Sequence, residues 1–175
     1  MLENERCLLT TKDFTILEVM LDRGQEAALT QLIRRKLDHA TVIFREDVPA
    51  GIVTLNSRVS YRVGNAAPET RIVSQSRLNG LVGFVLPLTT LRGLALLGLA
   101  EGQSITVTTV DGETEMLSVE QVLFQPEAAS RTLAHERSRG RRPRLVYDAD
   151  ALPSAIVADD PFEKPVPDDP GPSAA

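Results

Sequence analysis

Two carboxylates four positions apart, Asp22 and Glu26, flank Gly24 and offer the hard oxygen donors that divalent cations prefer. The same pair also suits a structural role, with Asp22 ending one helix and Glu26 beginning the next, where a carboxylate complements the positive N-terminus. Arginines recur at 137, 139, 141, 142 and 144, a cluster of the kind that neutralises phosphates and releases counterions. A single cysteine, Cys7, excludes an intramolecular disulfide framework and a cysteine-rich zinc site. His39 and His135 show no ligand spacing; His39 falls at a helix end, where a cation is mildly favoured. No Gly-rich phosphate loop, Ser-His-Asp arrangement or metal motif stands out. These groups call for no cofactor, no metal and no small-molecule substrate.

The chain that positions them has 175 residues, 42% hydrophobic and 25% charged, the balance of a soluble globular protein. Five Phe, two Tyr and no Trp argue against an aromatic-lined cofactor pocket and against base stacking on aromatic platforms. The net charge of −5 is a sum of unlike segments. Residues 1–130 carry 12 basic and 16 acidic groups; residues 131–144 carry six Arg against Glu136; residues 145–175 carry Lys164 against seven acidic groups, with six of the eleven prolines. So proline-rich and acidic a stretch buries too little apolar surface to offset its ordering entropy. Residues 131–175 are therefore expected to be a disordered tail, basic and then acidic, whose two halves have charges suited to pair with each other.

Nothing near the N-terminus reads as a secretory signal. The Leu-rich window 81–100 contains Pro87, three glycines and a central Arg92, and an Arg at mid-bilayer costs roughly 2.5–3.5 kcal/mol. No membrane span is expected, and the chain reads as cytoplasmic.

Residues 1–45 read as a short antiparallel helical hairpin. Thr10 is placed to cap a run in which Phe14, Leu17 and Leu21 recur at helical spacing, and Gly24 interrupts it. Leu29, Leu32, Ile33 and Leu37 form a second stripe, with Arg34, Arg35 and Lys36 facing away. An arm of about 12 residues reaches about 18 Å. Cys7 falls in a frayed end, and residues 40–56 form a connector with Pro49-Ala50-Gly51 as its turn. Alternation then marks strands over Arg58–Val63, Thr70–Arg77, Val82–Leu88, Ser104–Val110 and Glu115–Phe124, with an Asp111-Gly112 hairpin turn. The glycine-bounded run 93–98 reads as a short buried helix. Residues 46–130 thus form a sheet domain, and the fold class is α+β.

Three strings are specific enough to compare with known families: Val-Thr-Leu-Asn-Ser-Arg-Val-Ser-Tyr at 53–61, Gly-Leu-Ala-Leu-Leu-Gly at 93–98 and Val-Leu-Phe-Gln-Pro-Glu-Ala-Ala at 122–129. Together they resemble the C-terminal domain of the bacterial Gre transcript-cleavage factors. More closely, residues 10–130 resemble the regulator of nucleoside diphosphate kinase family, which carries that domain behind a short helical hairpin. The resemblance implies an FKBP-like antiparallel sheet wrapped round one short helix, and docking on bacterial RNA polymerase at the rim of its secondary channel. It places the contact around Pro87, Leu88, Thr90, Leu91, Arg92 and Gly93. Where Gre factors have Ser-Pro-Leu-Gly, this chain has Thr90, Leu91, Arg92 and Gly93, so the hydroxyl and the glycine are kept.

Gre factors carry catalytic acidic residues at the tip of a long coiled coil; the short arms here predict no cleavage stimulation from Asp22 and Glu26. The implied function is a non-catalytic regulator of transcription. Two alternatives remain open: a prolyl isomerase or peptide-binding module using Tyr61, Phe84 and Phe124, and nucleic-acid binding by Arg137–Arg144.

Overall fold

The computed structural model describes residues 7–75 and 83–140, with side chains through 138. Strand β1 (Cys7–Thr10) comes first, where the sequence predicts a frayed end. Its parallel partner is β2 (Ala40–Ile43), within the predicted connector, with Cys7 opposite Ala40 and Thr10 opposite Ile43. Four-residue runs are too short to announce themselves by period, and each depends on a partner more than thirty positions away. A parallel pair requires a crossover, and here the crossover is the hairpin of α1 (Thr11–Asp22) and α2 (Ala27–His39). Thr10 ends the strand and caps the helix, its Oγ1 accepting from the Asp13 N–H at 3.1 Å.

Leu17, Met20, Leu29, Leu32 and Ile33 from the two arms belong to the same buried apolar cluster as the sheet residues Val59, Tyr61, Leu117 and Val119. The hairpin is thereby built into the core. Lys36 departs from the expected pattern: Arg34 is exposed, but Lys36 is only 3% exposed.

The main sheet contains β3 (Arg58–Val63), β4 (Glu69–Ser74), β5 (Val85–Pro87), β6 (Ser104–Thr108) and β7 (Thr114–Phe124), in the order β5-β4-β3-β7-β6. All pairs but one are antiparallel as expected; β4 and β5 run parallel, with Ile72 opposite Val85. The curled sheet wraps α3 (Leu91–Leu96), whose Leu94, Ala95 and Leu96 are fully buried. That helix starts two residues before its predicted glycine boundary because Thr90 caps it.

Regular structure extends past residue 131, where the charge pattern places the start of a tail. Helix α4 (Pro126–Gly140) runs through 131. Pro126 suits a first helical position, and Ala128, Ala129, Leu133, Ala134 and the arginines are strong helix formers. Arg131 adds a tie, donating to the carbonyls of Arg45 and Glu46. Residues 141–175, on which the rest of that expectation falls, lie outside the described residues. No described helix is long and apolar enough to cross a membrane.

Buried polar groups fasten α1 and α4 to the connector. Gln125 Nε2 donates to Pro49 O at 2.8 Å and to Ile52 O at 2.7 Å. The Thr54 hydroxyl donates to Glu127 Oε2 at 2.6 Å and sits 3.0 Å from Ser57 Oγ. Nearby, the Asp13 carboxyl is hydrogen-bonded by the Thr10 hydroxyl and the Leu55 backbone, while its Oδ2 is buried without a partner. Burial raises the Asp13 pKa to about 6 against those two hydrogen bonds, and the Glu127 charge pushes the same way.

The folded pKa of Asp13 lies above its unfolded value. The stability it contributes is therefore present below about pH 4 and lost as pH rises through about 6. Asp13→Asn keeps an acceptor and removes the charge. In urea titrations from pH 4 to 8 it should flatten the decline and exceed the parent at pH 8 by up to about 3 kcal/mol.

Candidate partner-binding site at the start of helix α3

The turn from β5 into α3 carries all six residues singled out as a contact surface, and the fold divides them by role. Pro87, Leu88 and Gly93 are buried; Thr90, Leu91 and Arg92 are half-exposed. Leu88 points into the core, with no exposure at all, while its N–H donates to Ser74 O at 2.8 Å. It cannot touch a partner without unpacking the sheet. Thr90 orders the turn through a donated bond from its hydroxyl to Pro87 O at 2.7 Å and an accepted one from the Gly93 N–H at 3.2 Å. A threonine hydroxyl can do both, so the retained hydroxyl has a clear local use.

Gly93 is required by contact. A Cβ built there would collide with the carbonyl of Pro87, lying 2.8 Å from its carbon atom. Leu91, next to the cap, packs against the core and also borders a cavity of about 120 Å³ between α2 and β6, lined in part by Gln31, Leu32 and Thr106.

Arg92 is the charged element of the surface. Its Nε and Nη2 grip Glu115 Oε2 and Oε1 of β7 at 2.9 and 2.7 Å, a bidentate pair. The hydrogen bond from Arg92 holds the Glu115 carboxyl below the usual range, and the same bond raises the Arg92 pKa. The guanidinium side chain remains 42% exposed and the carboxylate 24%, so the pair orients Arg92 more than it stabilises the fold. Glu69 and the Tyr61 hydroxyl lie close enough to favour its charge further, and Glu69 is itself paired with Arg71 at 3.0 Å. Burial raises the Tyr61 pKa, helped by Glu69.

Glu115, Glu69 and Arg71 complete the site, and the sequence offers no signal for any of them. The approach of Glu115 and Glu69 to Arg92 depends on sheet register, and Arg71 joins through its pair with Glu69.

The other predicted residues do not join this site. Asp22 and Glu26 are exposed at the hairpin tip, and Glu26 is the N-cap position of α2 without a side-chain cap bond. No group of three or more His, Cys, Asp or Glu able to hold a metal ion occurs among the described residues. Tyr61 is buried on the inner face, whereas Phe84 is 65% exposed and Phe124 borders a separate cavity with Arg58 and Ile72. Among the described residues these three aromatics thus have separate surroundings. In the run Arg137–Arg144, Arg137 is exposed and the later arginine side chains lie outside the described residues.

A helical hairpin leading into a curled mixed sheet around one short helix is the fold of a Gre-type protein. The prokaryotic transcription elongation factor GreA/GreB from Nitrosomonas europaea matches it with a TM-score of 0.54 at 24% identity, covering 68% of this chain and 98% of that one. In sequence, the chain is similar to the regulators of nucleoside diphosphate kinase of Escherichia coli K12 and Shigella flexneri. Each is 29% identical over 129 residues, which covers 70% of this chain and 92% of the relative. No family model matches the chain. The resemblance carried by the three strings holds both in sequence and in fold.

Because the turn is packed backbone against backbone at Gly93, Gly93→Ala should lower stability by at least about 1–3 kcal/mol. Urea denaturation midpoints would measure the loss, and an unchanged midpoint would contradict the packing described.

Proposed function

We propose that this protein is a non-catalytic regulator of transcription that docks on bacterial RNA polymerase at the rim of the secondary channel. Thr90, Leu91 and Arg92 make the contact, on a turn shaped by Pro87, Leu88 and Gly93. One observation carries the reading: within a Gre-type fold, the turn that corresponds to the Gre docking segment presents a hydroxyl, an apolar side chain and an oriented guanidinium on a rigid helix start. Likeness to the regulators of nucleoside diphosphate kinase supports a regulatory role. A polymerase partner also accounts for the cytoplasmic reading.

Hairpin length argues against cleavage stimulation. The arms of 12 and 13 residues rise only about 18–20 Å, whereas the Gre activity resides at the end of a much longer coiled coil. Asp22 and Glu26 then end a hairpin whose tip stops short of the polymerase active centre. The protein competes with longer factors for one site.

Arg92→Glu reverses the exposed charge and leaves the Thr90 cap and Gly93 packing in place. Pull-down of intact polymerase should weaken by about tenfold or more, the scale of a contact-centre residue, with a modest drop in melting temperature because the new carboxylate faces Glu115 and Glu69. A folded variant that still binds fully would refute the assigned surface.

On stalled elongation complexes the full chain should produce no transcript cleavage above background, and should reduce cleavage by an added Gre factor in a dose-dependent way. Cleavage that disappears with Asp22→Asn and Glu26→Gln would overturn the non-catalytic reading.

A further inference from the structure

Cys7 of β1 and Lys36 of α2 meet inside the core. Lys36 Nζ donates to Leu97 O at 2.6 Å and lies 3.8 Å from Cys7 Sγ; the thiol lies 3.7 Å from the same carbonyl. Lys36 is 3% exposed, and among the described residues no carboxylate pairs with it. A lysine rarely stays so buried without an acidic partner. Burial lowers its pKa, opposed in part by the neighbouring thiol, which favours the free amine and its lone pair.

A small cavity borders the pair. A cavity of about 20 Å³ is bordered by Cys7, Lys36, Arg35, His39, Leu99 and Ile105; that is room for a molecule the size of water. On the opposite side the sulfur is closed off by Gly98, where a Cβ would stand 2.5 Å from Sγ.

We propose that Cys7 and Lys36 form an oxidative modification site, at which hydrogen peroxide joins the two side chains through a sulfur–nitrogen bond. In the first step the thiol sulfur attacks peroxide; the O–O bond breaks, sulfenic acid forms and water leaves. In the second the Lys36 amine attacks the sulfenic sulfur, the S–O bond breaks, and a second water carries away the hydroxyl with a proton from nitrogen. Sulfur loses two electrons, peroxide gains them, and the product is a sulfenamide. Lys36 gives up its bond to Leu97 O and closes the remaining distance with a flexible four-carbon stem. The link ties β1 to α2, at the base of the hairpin. Attack by an external thiol on the sulfur breaks the S–N bond and returns the amine, leaving a mixed disulfide; a second thiol then releases the Cys7 thiol as the external disulfide forms.

Intact-mass analysis of the full chain after peroxide treatment tests this, with digestion under non-reducing conditions. The expected product is about 2 Da lighter than the untreated chain, yields a peptide joining Cys7 to Lys36, and returns to the starting mass with a thiol reductant. Cys7→Ser and Lys36→Met should each abolish the lighter species; Met replaces the lysine stem with an apolar side chain of similar length. A heavier sulfinic or sulfonic product, a Cys7-linked dimer, or no reaction of Cys7 would overturn the proposal, and these outcomes are read on the unmutated chain.

Discussion

Close packing around two glycines fixes the position of helix α3, and the rest of the molecule is arranged about that helix. At one end Gly93 presses on the Pro87 carbonyl; at the other Gly98, with φ +82°, packs on Cys7 and Leu9. The Gly98 peptide then joins two further segments, its carbonyl accepting from the Leu8 N–H and its own N–H donating to Val53 O. One six-residue helix therefore touches the last strand of one sheet edge, the first strand of the hairpin and the connector. A Cβ at Gly93 would push α3 off β5, and one at Gly98 would push against β1. Interiors packed near crystal density give little room for such a shift.

Polar groups complete what the glycines begin. The connector between β2 and β3 has few apolar anchors beyond Val48, Ile52, Val53 and Leu55, so its path is set by hydrogen bonds from Gln125, Thr54 and Glu127. Each such bond is worth only about 1 kcal/mol net, yet a partner removed from a buried pair leaves a cost of about 1–3 kcal/mol. They therefore select one path for the connector more than they add stability. This accounts for the physical content of Gln-Pro-Glu at 125–127: the glutamine fastens the loop, the proline starts α4, and the glutamate receives Thr54.

What could be read from the sequence follows from how local each cause is. The period-two alternation of Val59, Tyr61 and Val63 and the helical stripe of Leu29, Leu32 and Ile33 announced their elements, and the three strings located the Gre-type fold. The β1–β2 pair was invisible because four residues carry no period and the partner is distant. The charge of Lys36 predicts a solvent-facing position; its burial depends on where Leu97 and Cys7 arrive. The division of the α3 turn into framing and exposed residues likewise rests on tertiary packing, since Leu88 and Leu91 are the same residue type three positions apart. Glu115 was illegible for a simpler reason: its pairing with Arg92 is a consequence of how β7 is registered in the sheet.

The hairpin's place in the core limits what it can do mechanically. Its two ends are the parallel strands β1 and β2, and its arms contribute Leu17, Leu32 and Ile33 to the same apolar cluster that surrounds α3. A hairpin swinging on a flexible hinge would require those contacts to open, exposing several fully buried side chains at about 1.5–3 kcal/mol each. The tip at Asp22 and Glu26 is thus held at a fixed offset from Thr90, Leu91 and Arg92. On the proposed reading, docking at the α3 turn sets how far the tip projects, and arm length converts directly into reach. On that same reading, two arms of a dozen residues held rigidly to the α3 turn suit a protein that occupies a site without reaching beyond it.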